Sequence, residues 1–105
     1  MKIIETSVFT KRLKTLLPDE DYRKLQNEII LNPEKGKIIS GSGGLRKIRW
    51  SIAGKGKSGG VRIIYYWFKT KEIVLMLLIY SKNEQDDLSS EQLKILKSLV
   101  EKEFK

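Results

Sequence analysis

The chain contains no cysteine and no histidine among its 105 residues. Without cysteine it can form neither a disulfide nor a thiolate nucleophile, and without histidine it lacks the commonest catalytic base and metal ligand. Any chemistry must therefore come from Lys, Arg, Tyr, Asp or Glu side chains. We expect the protein to bind no metal ion and no cofactor.

Long hydrophobic runs are also absent. The longest uncharged run, residues 73–81, has nine residues, whereas a membrane-spanning helix needs about 20. The segment Met1–Glu5 places an acid where a signal peptide has its apolar stretch. We therefore expect a cytoplasmic protein that does not contact a membrane. Residues 1–105 are expected to form a single domain, because a chain of this length fills only one core.

Acidic residues are nearly missing from the middle of the chain. Residues 35–83 contain eleven Lys and Arg but only one acid, Glu72, and so supply the whole positive excess of a chain whose net charge is +8. A surface that serves only solubility mixes charges of both signs. The basic middle predicts a surface that binds a polyanion such as RNA, because each neutralised phosphate releases counterions.

Hydrophobic periodicity divides the chain into three predicted helices and four predicted strands. The strands cover residues 2–7, 45–50, 61–68 and 73–80, and the helices cover residues 8–17, 19–32 and the stretch after residue 89. The last two strands are joined by a tight turn and are therefore antiparallel, since a parallel pair needs a longer crossover. The order predicts an α+β fold, in which an antiparallel sheet packs with two N-terminal helices and one C-terminal helix.

Capping residues mark where two of these helices begin. Asp19 is the predicted N-cap of the second helix, whose first turn is acidic. Ser89 and Gln92 have the spacing of a capping box at the start of the last helix, and Leu88 can pack on Leu93 as a hydrophobic staple.

Three cations fall where neighbouring strands bring them together. Lys47 and Arg49 lie two residues apart on one strand and share a face, and Arg62 enters the next strand close by. An arginine in an otherwise apolar strand must reach an anion or a water-filled cleft, because an unpaired buried charge is costly. In the structural alternative, Arg62 pairs with Glu84 or Asp86, and the strand cations are merely solvated. Like charges held together favour the neutral form of a lysine, which makes it a usable base near neutral pH.

Further polar residues are candidates for the rim of the same cleft. Lys82, Asn83 and Glu84 follow the last strand and place a cation, an amide and a carboxylate in succession. Tyr66 has the same strand parity as Arg62 and can stack on an unpaired base, a contact that contributes about 1–3 kcal/mol.

The segment Gly54–Gly59 matches the pattern G-x-G-x-x-G. A dinucleotide-binding loop of this pattern opens a helix, whereas here a strand follows. We interpret the segment as a basic loop whose lysines, Lys55 and Lys57, contact phosphates, since glycine lets a backbone approach them closely. The alternative is a simple connection between two strands.

Four pieces of sequence then resemble one known family. They are Gly43–Arg49 (GGLRKIR), the Gly/Lys loop, Gly59–Tyr66 (GGVRIIYY) and Tyr80–Leu88 (YSKNEQDDL). Together with the order of the elements, they resemble the HigB branch of the RelE/ParE toxin superfamily over nearly the whole chain. The resemblance implies a compact ribonuclease-type fold, with helices on one side of a twisted antiparallel sheet and a basic cleft on the other.

The resemblance also implies a function and partners. Members are toxins of type II toxin–antitoxin modules, and most are endoribonucleases that cut mRNA in the ribosomal A site and so inhibit translation. The implied partners are mRNA, the ribosome and a cognate antitoxin, which would be HigA-like with a helix-turn-helix. Operator DNA would be contacted only through that antitoxin.

The family pattern can be transferred residue by residue. Lys47 and Arg49 match its paired basic residues, Arg62 its phosphate-gripping arginine, and Lys82 its basic residue after the last strand. Relatives often carry an arginine where Asn83 stands. The predicted catalytic residues are Lys47, Arg49, Arg62, Lys82, Asn83 and Glu84, and the predicted RNA- or ribosome-binding residues are Arg46, Lys55, Lys57 and Tyr66.

The predicted reaction is attack by the RNA 2′-hydroxyl on the adjacent phosphorus, which leaves a 2′,3′-cyclic phosphate and a 5′-hydroxyl without a metal. Arg62 would stabilise the charge that develops on the phosphate. Lys47 or Glu84 would take up the 2′-hydroxyl proton, and Lys82 would protonate or neutralise the leaving oxygen.

Two other functions fit the same sequence. One is a gyrase poison of the ParE type, which shares the fold and acts by binding a protein. The other is a non-catalytic RNA-binding or corepressor domain. The basic residues at 47, 49 and 62 favour the nuclease, because a protein binder has no need of converging cations.

Overall fold

The computed structural model describes residues 1–52 and 60–104. The helices are α1 (Ser7–Leu16), α2 (Asp19–Leu31) and α3 (Ser90–Phe104), and the strands are β1 (Lys2–Glu5), β2 (Lys37–Ile38), β3 (Leu45–Trp50), β4 (Val61–Phe68) and β5 (Ile73–Ser81). The predicted α+β fold is confirmed, and β2 is an additional strand. In the described part of the chain, no helix has the length and apolar character needed to cross a membrane.

The five strands form one sheet in the order β1–β5–β4–β3–β2. The pairs β2–β3, β3–β4 and β4–β5 are antiparallel, as predicted for the last of them, whereas β1 runs parallel to β5. The expectation of a purely antiparallel sheet was therefore wrong. Two helices and three strands separate β1 from β5 along the chain, and a connection of this length permits parallel pairing.

Helices cover both faces of the sheet. On one face, Phe9 of α1 and Leu25 of α2 belong to a buried cluster with Ile63 of β4. On the other face, Leu96 of α3 belongs to a second cluster with Ile64 of β4. The resemblance implied helices on one side only, which the position of α3 contradicts. Because β4 is apolar on both faces, α3 is needed to remove the second face from water.

The two predicted helix starts have different outcomes. The capping box is present, since the backbone N–H of Gln92 donates to Ser89 Oγ (3.1 Å) and the backbone N–H of Ser89 donates to Gln92 Oε1 (2.9 Å). Asp19 is not an N-cap, because the extended backbone of Pro18 already occupies that position and α2 begins at Asp19. Its carboxylate instead lies in the acidic first turn, where its negative charge interacts favourably with the positive end of the helix dipole.

The turn between α2 and β2 is fixed by Tyr65. The Tyr65 hydroxyl accepts a hydrogen bond from the Gly36 N–H and donates one to the Pro33 carbonyl, both at 2.8 Å. A Cβ atom at position 36 would lie only 2.7 Å from Cε1 of the Tyr65 ring. Because Tyr65 is fully buried in the core, its ring has little room to move away.

Gly36→Ala is therefore expected to lower the free energy of unfolding by about 2 kcal/mol, the usual scale of overpacking. Urea denaturation measures the change. Ser40→Ala in the next, exposed turn is the control and should alter the same quantity by less than about 0.5 kcal/mol. Equal stabilities of the two variants would show that Tyr65 does not restrict position 36.

Candidate functional site

Three polar side chains form a row near one end of the central strands. Arg49 of β3 lies directly opposite Arg62 of β4, and Arg62 lies opposite Tyr80 of β5. The Cβ atoms of directly opposed residues are about 5 Å apart. By strand alternation the row shares its face with Ile64, and this is the face that α3 partly covers. The structure thus brings Arg49 and Arg62 together.

Arg62 is buried, with 8% of its surface exposed. Its Nε atom has no hydrogen-bond partner among the described residues, and within them Arg62 forms no ion pair. The Tyr80 hydroxyl is likewise buried and unpartnered there. Like charges directly opposite each other destabilise a sheet, and a buried cation without an anion is costlier still. Such an arrangement suits a site that receives an anion.

Lys47 extends the row along β3. It lies two residues before Arg49 on the same face, and its Nζ forms an ion pair with the Asp87 carboxylate, in the loop before α3. The hydrogen bond from Lys47 chiefly holds the pKa of Asp87 below its ordinary value, and the charges of Arg49 and Arg62 act in the same direction. The Asp87 carboxylate therefore lies in the electrostatic field of three cations, Lys47, Arg49 and Arg62. We call these three residues the basic cluster.

Tyr80 adds a neutral hydroxyl to the basic cluster. Burial raises the pKa of Tyr80 above its ordinary value of 10.0, and the Asp87 charge raises it further, while the charges of Arg62 and Arg49 oppose the shift. The phenol consequently stays protonated at neutral pH. It can donate a hydrogen bond but is a poor base.

A groove of about 540 Å³ is lined by Lys47 and Arg49 of the basic cluster, while Arg62 lies behind Arg49 on the next strand and does not line it. This volume lies within the range of about 300–1,000 Å³ that is typical of small-molecule sites. Its lining combines basic side chains with apolar ones, a combination suited to phosphates and base faces. The lining residues are Lys35, Lys37, Ile38, Ile39, Lys47, Ile48, Arg49, Asp87, Leu88 and Leu93.

The segment after β5 divides between two environments. Lys82 and Asn83 are exposed in the turn, and the Lys82 N–H donates to the Gly60 carbonyl (3.1 Å), next to the strand that holds Arg62. Glu84 instead pairs with Arg12 of α1, whose Nη2 lies 2.6 Å from each carboxylate oxygen. This bond from Arg12 is the main reason that the pKa of Glu84 is lowered.

The predicted RNA-binding residues are scattered. Arg46 lies on the opposite face from Lys47, and its Nη1 donates to the carbonyl oxygens of Glu34 and Gly36. Tyr66 shares the face of Arg62 but lies about 13 Å further along β4, at the usual rise per residue. The predictions for Lys55 and Lys57 fall outside the described residues.

Sequence reasoning missed three polar residues at this site. Asp87 lies within the YSKNEQDDL piece, so a signal for it was available. Lys37, which faces Lys47, belongs to a strand of two residues that is too short to show periodicity. Tyr80 falls in a strand that the sequence predicts to be apolar, and its place beside Arg62 follows only from strand register.

A mixed five-stranded sheet with helices on both faces and cations gathered on one of them defines a small basic protein that is suited to binding a polyanion. The whole chain, residues 1–105, matches a family model described as the RelE toxin of the RelE/RelB toxin–antitoxin system. The protein therefore belongs to the RelE toxin family, and the broader part of the resemblance is confirmed. Membership in a toxin–antitoxin family implies an antitoxin as its partner.

A solved structure supports the same fold. The free E. coli toxin RelE, in a mutant with two arginines replaced by alanine, superposes with a TM-score of 0.62. The match covers 90% of this chain and 95% of that chain at 18% sequence identity. At this identity the likeness concerns the fold alone.

Proposed function

We propose that this protein is a HigB-type toxin that cleaves mRNA on the ribosome and thereby inhibits translation. The observation that supports the proposal best is the buried Arg62, whose Nε lacks a partner among the described residues and which faces a second arginine, Arg49. A fold keeps such a pair at the expense of stability when an anion binds there during function.

In the proposed reaction, the 2′-hydroxyl oxygen of one nucleotide attacks the phosphorus that links it to the next. The bond from phosphorus to the 5′ oxygen breaks, the 2′-hydroxyl gives its proton to water and the 5′ oxygen takes a proton from water. The products are a 2′,3′-cyclic phosphate and a 5′-hydroxyl, and the scheme uses no metal. Arg62 binds the non-bridging oxygens with its planar fork of donors and stabilises the charge that they gain.

The neighbouring residues take supporting roles in this scheme. Lys47 and Arg49 hold the phosphates on either side of the scissile one. Lys82, exposed near Arg62, neutralises the leaving 5′ oxygen, and Asn83 contacts the RNA backbone beside it. The neutral hydroxyl of Tyr80 donates a hydrogen bond toward the phosphate.

Glu84 is proposed to hold the loop after β5 rather than to take up the proton. A carboxylate whose pKa is lowered by an arginine is a weak proton acceptor. We therefore expect Glu84→Gln to retain mRNA cleavage within about threefold, because general-base catalysis contributes about 10²–10⁴-fold when it is present. A hundredfold loss of cleavage in a stably folded variant would instead identify Glu84 as the base.

The same substitution has a pH signature. The pKa of Glu84 lies below its ordinary 4.5 in the folded state, so the pair with Arg12 stabilises the fold above that value and is lost as the pH falls through the folded pKa. Since the pair is exposed, Glu84→Gln should lower the free energy of unfolding at pH 7 by only about 0.5–1 kcal/mol. Urea denaturation at pH 7 and pH 3 should show that this difference is smaller at the lower pH.

The antitoxin partner is proposed to be HigA-like with a helix-turn-helix domain, which would make the only contact with operator DNA. The HigB-type residues quoted above support this choice. Sequencing of the neighbouring reading frame is the simplest check on it.

Mapping of mRNA 5′ ends after brief induction tests the function. We expect new ends within translated reading frames in cells that express the wild type, and none with Arg62→Ala. Intact mRNA together with filamentation and DNA-damage signalling would contradict the proposal in favour of a gyrase poison. Intact mRNA without DNA damage would contradict it in favour of a binding module.

A further inference from the structure

The basic cluster already has an anion beside it, which is supplied by the chain itself. Asp87 pairs with Lys47, and 74% of its side chain is exposed to solvent, whereas only 17% of the Lys47 side chain is. The carboxylate therefore lies on the solvent side of the pair. An RNA phosphate that approaches Lys47 meets Asp87 first.

The backbone that carries Asp87 is anchored on both sides. The side-chain amide of Gln85 donates to the Asp87 carbonyl and to Gln92 Oε1, both at 2.8 Å. Two residues after Asp87, the capping box of Ser89 and Gln92 fixes the start of α3. The loop thus holds the Asp87 backbone, while rotation of one exposed side chain is enough to free Lys47.

A carboxylate at this position opposes catalysis in the proposed scheme. It lowers the charge of the basic cluster and competes with phosphate for Lys47, and its weak proton affinity makes it a poor base.

We propose that Asp87 is a specificity-determining residue, whose carboxylate occupies a phosphate position at Lys47 and must be displaced by the substrate. RNA that is held by additional contacts, such as mRNA on the ribosome, displaces it readily. Free RNA, which lacks those contacts, displaces it poorly. This inference rests on the proposed function and adds to it a reason for discrimination against free RNA.

Asp86 offers a matched control. It is an exposed neighbour with no ion pair among the described residues, so Asp86→Asn removes the same charge as Asp87→Asn without freeing Lys47. The probe is a 2′-O-methyl oligoribonucleotide of about ten nucleotides, a typical length for a single-stranded site. Its blocked 2′ oxygen prevents cleavage, so that affinity can be measured.

We expect Asp87→Asn to bind this probe about threefold to fivefold more tightly than Asp86→Asn, the range that an exposed ion pair usually covers. The slope of log affinity against log salt should steepen by about 0.7, which corresponds to one more phosphate contact on a single strand. In a Lys47→Met background the two asparagine variants should bind equally. On unmodified RNA, Asp87→Asn should raise the ratio of free-RNA cleavage to ribosome-bound cleavage by a similar factor.

Two results would overturn the inference while leaving the proposed function intact. One is equal binding by the two asparagine variants, and the other is weaker binding by Asp87→Asn than by the wild type, which would mean that Asp87 positions Lys47. If the wild type and Arg62→Ala bind the probe equally weakly, the proposed RNA site itself is wrong. The binding series therefore separates failure of the inference from failure of the function.

Discussion

Replacement of Arg62 by methionine is expected to reduce mRNA cleavage by about 10²–10³-fold, the usual effect of removing one preorganised donor from a reacting group. The same variant should fold at least as stably as the wild type. Methionine fills much of the same volume. It removes the unpartnered Nε of Arg62 and the repulsion between the charges of Arg62 and Arg49. We expect the free energy of unfolding to stay equal or to rise by up to about 1 kcal/mol.

Cleavage in a purified translation system and urea denaturation of the same preparation measure the two effects. Lys11→Met is the matched control, because it removes an exposed cation from α1, the helix that packs on the opposite face of the sheet. It should keep cleavage within about twofold, because solvent and salt screen an exposed charge on that side of the sheet. A loss of several kcal/mol in Arg62→Met would show that Arg62 has a structural partner.

Replacement of Lys47 and Arg49 together by methionine is expected to reduce cleavage by about 10²–10⁴-fold, since each charged hydrogen bond contributes about 1.5–3 kcal/mol and two are lost. The slope of log RNA affinity against log salt should fall by about 1.4, because two phosphate contacts are lost. The control is the double variant Lys11→Met and Lys94→Met, which removes two exposed cations elsewhere.

Nitrocellulose filter binding over a range of salt concentrations gives the slope for both double variants. We predict that the salt slope changes only in the double variant that carries Lys47→Met and Arg49→Met. An equal change of the slope in the two double variants would mean that RNA affinity depends on net charge alone. The basic cluster would then not be the RNA-binding site.

The sequence predicts the helices and the three central strands well because their periodic patterns are local. It also places Arg49 and Arg62 together, since a hairpin register follows from the alternation of apolar residues. The parallel pairing of β1 with β5 depends on contacts between residues about seventy positions apart. No local pattern encodes such a pairing.

The polar rim of the site is harder to predict for a related reason. The loop after β5 has no periodicity, and its course is set by distant partners. Arg12, on α1, donates to the Ile79 carbonyl and to Glu84, which anchors the start of this loop. Glu84 is therefore drawn to α1, and Asp87 reaches Lys47. The composition of the loop reveals acids, but only the fold decides which of them faces the cations.

The most direct test of the basic cluster is the ¹H–¹⁵N resonance of the Arg62 Nε–H group during titration with the 2′-O-methyl oligoribonucleotide, assigned by its absence in Arg62→Met. The account predicts that this resonance shifts with increasing RNA and gains protection from solvent exchange, over the same concentrations that shift the Lys47 side chain. An unchanged Arg62 resonance at saturating RNA, with shifts confined to exposed lysines such as Lys11 and Lys94, would contradict it.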